Sequence, residues 1–360
     1  MTRIVLLGPA NSIHLQRWAA ALVERGHALC VLSQHRCERA LLPASAEVVW
    51  LPHAGSLGYF RNAPAVRRAI AAWRPEILNA HYASGYGSTA AWCGFAPTLL
   101  SVWGSDVYDF PNESALKGRL LRHNLRRATQ IASTSEAMAR QVRRLVPKVG
   151  EIAITPFGVD LARFAPAAPR ASAGLTIGIV KSLAPKYGVD LLLRAFAGLL
   201  RDEAVRALPT PPRLLIVGDG PARAALERKY PDTVFLGARH GEELAEIYAA
   251  SDIFVFPSKT DTFGLVLLEA LASGLPVAAF PVTGPRDVIG KAPVGVLRDD
   301  LRAACLEALT IPREACVEFA AGHTWQASAR VFVDHALNVR PEGSEDDPVE
   351  FGAEDPHFAA

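Results

Sequence analysis

FPSKTDTFGLVLLEALASGLPVAAFPVTG, residues 256–284, reads as a strand, a turn, a helix and a second strand. The apolar run DIFVFPS (252–258) ends around Pro257, and Asp261 sits in the turn that follows. A helix begins near Gly264 and carries Glu269 in its second turn, and Gly274 and Pro276 punctuate its passage into the strand LPVAAFP (275–281). Such a unit belongs to a parallel sheet, where ligands bind beyond the carboxyl ends of the strands. The N–H groups of Gly264, Leu265 and Val266 have no acceptor inside the helix. Together with the helix dipole they make an anion site suited to a diphosphate. Asp261 and Glu269 bracket that site with carboxylates, which accept hydrogen bonds from hydroxyls. The expected ligand therefore carries both phosphates and sugar hydroxyls.

The same alternation runs outward in both directions. In the first half, RIVLLG (3–8), HALCVLSQ (27–34), AEVVWLP (46–52), EILNAH (76–81), PTLLSVWG (97–104), QIASTS (130–135) and GEIAITPFGVD (150–160) read as strands. Helical stretches such as QRWAAALVERG (16–26) and AVRRAIAAWRP (65–75) lie between them. A Pro/Ala/Ser-rich linker (165–174) follows, and the pattern restarts with LTIGIVKSL (175–183), VDLLLRAFAGLLRD (189–202), RLLIVGDGP (213–221) and TVFLG (233–237). The expected class is α/β with two doubly wound, Rossmann-like parallel-sheet domains in tandem, residues 1–165 and 170–322. HTWQASARVFVDHAL (323–337) reads as a helix. The acidic segment 341–360 reads as disordered.

Composition narrows the class. Half of the 360 residues are hydrophobic and 21% are charged, which excludes wholesale disorder. The net charge of +2 is unevenly spread, with 19 Lys/Arg against 10 Asp/Glu in residues 1–165. Five scattered cysteines form no CxxC pair and no metal spacing, and read as reduced thiols. No run of 18 apolar residues is present, and the N-terminus reads as a strand rather than a signal peptide, so a cytoplasmic location is expected. LKGRLLRHNLRRATQ (116–130) has five Lys or Arg, no acid, and Leu116, Leu120, Leu121 and Leu125 at helical spacing. A basic amphipathic helix of this kind suits peripheral contact with an anionic membrane surface. No nucleic-acid reading motif accompanies the charge, so nucleic acid is not an expected partner. In IGIVKSLAPKYGVD (177–190), Lys181 and Lys186 follow a strand five residues apart and are placed to meet one set of phosphates.

These segments resemble family 4 glycosyltransferases, which are retaining enzymes of the GT-B fold. The acidic pair separated by seven residues appears as Asp261 and Glu269, followed by EALASGLPV (269–277). The basic pair appears as Lys181 and Lys186, and the Gly-x-Gly-Pro turn as VGDGP (217–221). The loop Gly8–His14, the His81 segment and WGSD (103–106) resemble the acceptor domain. The resemblance implies that Glu269 holds the ribose, Asp261 the donor sugar, and Lys181 and Lys186 the departing diphosphate. The backbone of 264–266 completes the phosphate site. Gly220, Phe263 and Arg239, the last in a strand end expected beside the base, complete the donor contacts. It implies no metal and no cofactor beyond a nucleotide-sugar co-substrate, with a UDP-sugar expected and GDP-mannose as the other candidate. The acceptor is a glycan or a lipid-linked hydroxyl. The resemblance also implies that the two domains face a central cleft and that the helix at about 323–340 returns to the first domain. Two positions depart from the family pattern. The first acid is Asp261 where Glu is usual, and Trp103 stands where a histidine is common. The histidine's place near the reacting sugar then falls to His81, to Asp106 or to neither. A nucleotide-sugar epimerase and a non-catalytic binding protein on the same fold are the rivals. An NAD-dependent oxidoreductase is disfavoured because LGPANS follows the first strand instead of Gly-x-Gly-x-x-Gly.

Overall fold

A computed structural model describes residues 1–166, 174–261 and 263–338. The first half folds around seven strands: β1 (Arg3–Leu7), β2 (Ala28–Ser33), β3 (Glu47–Trp50), β4 (Ile77–His81), β5 (Thr98–Val102), β6 (Gln130–Ser133) and β7 (Ile152–Ile154). The second half contributes six: β8 (Gly174–Val180), β9 (Thr210–Val217), β10 (Val234–Gly237), β11 (Ile253–Phe256), β12 (Val277–Ala279) and β13 (Gly295–Leu297). They form two wholly parallel sheets, ordered β3-β2-β1-β4-β5-β6-β7 and β10-β9-β8-β11-β12-β13. Ile4–Leu7 of β1 and all of β11 are buried on both faces, which explains their unbroken apolar runs, and β4 is equally buried although it carries Asn79 and His81.

Each chain half starts in the middle of its sheet and winds outward in both directions. The order reverses between β1 and β4 and between β8 and β11, and ligand crevices open at such reversals. Gly8 and His81 lie at the first reversal, and Lys181 and the turn to Asp261 at the second.

The two lobes meet along an aromatic seam. The helix Trp325–Asn338 returns to the first lobe and packs on the helix Ile13–Glu24. Trp18 lies 5.9 Å from Trp325 and 5.2 Å from Phe332 between ring centroids, and the Gln326 amide donates to Glu24 at 3.0 Å. Phe157 stacks on His14 at 4.4 Å and meets Phe263 and Trp325, each at 5.8 Å. Beside it the two crossings of the chain run against each other, with Val159 N–H donating to the His323 carbonyl at 2.8 Å. Gly158 has no room for a side chain, since a Cβ there would lie 2.2 Å from the Trp325 nitrogen.

Several sequence expectations need adjustment. The stretch 189–202 is a helix only over Val189–Leu199, and Asp202 caps a separate turn, Glu203–Arg206. Helices Tyr86–Cys93 and Glu136–Leu145 were not anticipated. The first has a buried face almost all round and so lacks a polar period, whereas the second is amphipathic, with Met138 and Val142 buried and Arg140, Arg143 and Arg144 exposed. The apolar face of 116–130 is not available to a membrane. In the helix Ala115–Arg127, Leu121 and Leu125 are core residues of the first lobe and Leu120 is half-buried. Only Leu116 is exposed, beside Arg119, His123, Arg126 and Arg127. The thiols are free, and all but the half-buried Cys37 are buried. The segment 341–360 and residues 167–173 of the linker lie outside the described residues.

Gly158→Ala is expected to destabilise the protein by about 1–3 kcal/mol, because the new methyl is forced against backbone that cannot rotate away. Chemical denaturation measures it, and an unchanged midpoint would show slack where the crossings meet.

Candidate functional site

Register brings the carboxyl ends of β8 and β11 together, with Ile177 opposite Ile253 and Gly178 opposite Phe254. The loops leaving these two strands therefore share a wall. Lys181 projects from the first loop and its ammonium pairs with the Asp261 carboxylate from the second. The same ammonium lies over the rings of Tyr187 and Phe256, 4.5 and 4.7 Å from their centroids. Lys186 lies 5.1 Å from the Tyr187 centroid, so both lysines bear on one aromatic platform. The Thr283 hydroxyl donates to the Asp261 carbonyl at 2.6 Å and fixes the turn.

A cavity of about 830 Å³ opens between the lobes here. Its second-lobe wall carries Lys181, Lys186, Tyr187, Thr260, Asp261 and Thr283, and its first-lobe wall Ser105, Tyr108, Asp109, Ala137, Arg140 and Arg144. A charged, polyhydroxylated ligand would find cations for its phosphates and carboxylates for its hydroxyls.

Around the turn from this cavity lies the helix Leu265–Ala272. Gly264 precedes it in the left-handed conformation (φ 85°), and no side chain caps the helix start. Glu269 is half-buried and accepts a hydrogen bond from Tyr248 Oη at 3.0 Å. Burial pushes its pKa up from 4.5 to about 7, against the opposing pull of the Tyr248 hydrogen bond and the charges of Arg17 and Arg163. Arg17 itself reaches from the first lobe to Asp160 at 2.7 Å.

Other expected site residues take different places. Asp106 is fully buried and accepts from the backbone N–H groups of Ala83, Trp103 and Gly104 at 2.8–3.3 Å. The carboxylate clamps the two first-lobe loops that carry Ala83 and Trp103. His81 is 1% exposed, neither ring nitrogen has a hydrogen-bond partner among the described residues, and burial lowers its pKa to about 3. The ring packs against Trp103 at 5.5 Å between centroids. Trp103 also meets His14 edge-on at 5.5 Å, and burial lowers the His14 pKa to about 4. Phe263 is buried in the seam against Phe157 rather than lining the cavity. Gly220 serves the fold: a Cβ there would lie 2.6 Å from the Leu183 carbonyl, and one on Gly218 would lie 1.9 Å from that of Lys181. The two glycines let the lysine loop settle on β9, with Leu183 N–H donating to the Asp219 carbonyl at 2.9 Å. Arg239 is turned to its own segment, donating to the Leu236 carbonyl at 3.0 Å and pairing with Glu243 at 3.2 Å.

Arg140, Arg144, Tyr108 and Tyr248 were not anticipated. Ser135 followed by EAMARQVRRL carries a signal for the first two, a capping serine with Met138 and Val142 one turn apart. Tyr248 carries none, since it reads as one more apolar position on a helix. Among the described residues, no group of three or more His, Cys, Asp or Glu is placed to hold a metal ion.

Two family models match, "Glycosyl transferase 4-like" over residues 3–135 and "Glycosyl transferases group 1" over 174–310. The chain belongs to the family 4 glycosyltransferases. This family 4 member is 36% identical over 249 residues to the GDP-mannose-dependent alpha-mannosyltransferase of Mycobacterium tuberculosis, which covers 64% of this chain and 62% of that protein. The match thus spans about three fifths of that relative. Sucrose-phosphate synthase from Thermosynechococcus elongatus superposes with a TM-score of 0.71 at 18% identity, covering 94% of this chain and 99% of that one. A glycosyltransferase from Rickettsia africae does so at 0.70 and 16%, covering 94% and 98%. At such identities the likeness establishes the fold, GT-B.

The raised pKa of Glu269 has a consequence for stability. Between pH 4.5 and 7 the folded family 4 protein holds a proton on this carboxyl that the unfolded chain has lost, so stability falls as pH rises through that window. Glu269→Gln removes the titration. Its melting temperature should gain on wild type as pH rises from 4.5 to 8, and a difference that stays constant would show that the carboxyl titrates normally.

Proposed function

We propose that this chain transfers a mannosyl-type hexose from GDP-mannose to a hydroxyl of a glycan or lipid-linked acceptor, with retention of anomeric configuration and without a metal ion. The observation that carries this reading is the shared wall of Lys181, Lys186 and Asp261, beside a helix start with no side-chain cap. Guanosine is taken in place of the expected uridine nucleotide on the strength of the mycobacterial relative's name.

In this reading the diphosphate lies over the lysine loop. The two ammonium groups and the amides at 265–266 neutralise the charge that grows on the leaving phosphate, and rigid donors of this kind supply much of an enzyme's rate enhancement. Asp261 shares its carboxylate between Lys181 and a sugar hydroxyl, and Glu269 accepts from the ribose. The bond from the anomeric carbon to the phosphate oxygen breaks as one to the acceptor oxygen forms on the same face, and the acceptor proton passes to the departing phosphate. Closure of the lobes removes water that would hydrolyse the donor. Asp106 and His81 act from below, by holding the loops that carry Trp103 and Ala83. The basic outer face of the helix Ala115–Arg127 suits electrostatic contact with an anionic membrane surface, its inner leucines being committed to the core.

Thermal shift with GDP, GDP-mannose, UDP and UDP-glucose tests the donor, since a ligand at 100 times its Kd adds about 2.7 kcal/mol to stability. GDP-mannose should raise the melting temperature most. A response to uridine ligands alone would overturn the base assignment, and no response to any of the four would overturn the donor site. Lys186→Ala should lower kcat about 10²–10³-fold if that ammonium meets the leaving group. Sugar transfer near the wild-type rate would remove Lys186 from the mechanism.

A further inference from the structure

The second-lobe wall of the cavity accounts for the donor, and the first-lobe wall has a chemistry of its own. Ala137, Arg140 and Arg144 recur at three and four residues along the helix Glu136–Leu145 and all face the cavity. The helix is held from three sides. Ser135 caps it through Met138 N–H at 3.3 Å, Gln141 donates to the Val107 carbonyl at 3.0 Å, and Asp287 of the second lobe accepts from Ala137 N–H at 2.9 Å. The two guanidinium groups make no hydrogen bond or ion pair among the described residues. Among the described residues lining their wall of the cavity, Asp109 is the one carboxylate, and Lys181 already pairs with Asp261 across it. A donor diphosphate would occupy the lysine side, which leaves two exposed arginines on a helix whose backbone is held in place, with the Asp287 carboxylate engaged at the Ala137 amide of that helix.

We propose that Arg140 and Arg144 form an anion subsite for the acceptor, so that the preferred acceptor carries a phosphate or carboxylate group beside its reacting hydroxyl. Planar guanidinium forks one helical turn apart fit the oxygens of such a group. Asp109 and the Ser105 hydroxyl, lining the same cavity, are placed to accept from the acceptor's hydroxyls. This deepens the transferase reading and rests on it, since it takes the opposite wall to be the donor's.

Calorimetric titration of mannose 6-phosphate, glucuronic acid, methyl mannoside and inorganic phosphate into the GDP-saturated full-length protein tests the subsite. Mannose 6-phosphate or glucuronic acid should bind wild type and bind R140Q/R144Q at least tenfold more weakly, with GDP affinity unchanged within twofold. R143Q removes an exposed charge from the same helix but outside the cavity, and should leave the anionic sugar's affinity unchanged. Equal binding of the anionic sugars to wild type and double variant, or no binding to wild type, overturns the proposal. So does a loss in R143Q as large as in the double variant, which would report net charge only. A parallel loss of GDP affinity would move the arginines to the donor site. Inorganic phosphate binding as tightly as mannose 6-phosphate would mark a free-anion site, and methyl mannoside binding as tightly would show the charge to be irrelevant. If GDP fails to bind wild type, the donor reading falls by itself, and the sugar titrations run without it still decide the arginines.

Discussion

The pairing of the Lys181 ammonium with the Asp261 carboxylate joins two loops that are eighty residues apart in sequence and neighbours in the sheet. It depends on β8 and β11 lying side by side, a placement that follows from a sheet wound outward from its first strand. Both loops need the backbone to pass close to other backbone, and Gly218 and Gly220 provide that beneath the lysine loop. With the pair in place, a cation and an acid stand within reach of one ligand on a wall stiffened by Tyr187, Phe256 and Thr283. Remove the adjacency and Lys186, Thr260 and the cavity itself lose their common surface.

The opposite constraint is the seam. Phe157, Phe263, Trp325 and Trp18 fill the space between lobes, and the crossing at Gly158 keeps the two covalent connections in contact. This fixes which faces of the lobes look at each other, and so which first-lobe helix overlooks the lysines. Asp287 reaching the amide of Ala137 continues the same fastening at the helix that bears the arginines.

The strands were legible because strands buried on both faces are continuous apolar runs, and the turn at 256–264 was legible because few backbones need that order of Pro, acid and Gly. Lys181, Lys186 and Asp261 were found because they follow strands, and positions after parallel strands collect at one edge. What stayed hidden depends on distance between segments far apart in sequence. Nothing local to His81 tells that Trp103 and Gly8 enclose it, and nothing local to Asp106 tells that three amides converge on its carboxylate. The family resemblance offered both positions a place near the reacting sugar; in the structure the His81 ring is buried against Trp103 and the Asp106 carboxylate braces two loops. The leucines of 116–130 misled in the reverse sense, since an amphipathic pattern does not say whether core or lipid receives the apolar side.

Glu269 sits where a modest change in surroundings tips it between two protonation states near neutral pH. In the proposed reading the ribose donates hydrogen bonds to it and favours the anion, so each binding event would expel a fraction of a proton into solution. The heat of association would then vary with the ionisation enthalpy of the buffer, and metabolic acidification would loosen the grip on the nucleotide without any change of shape.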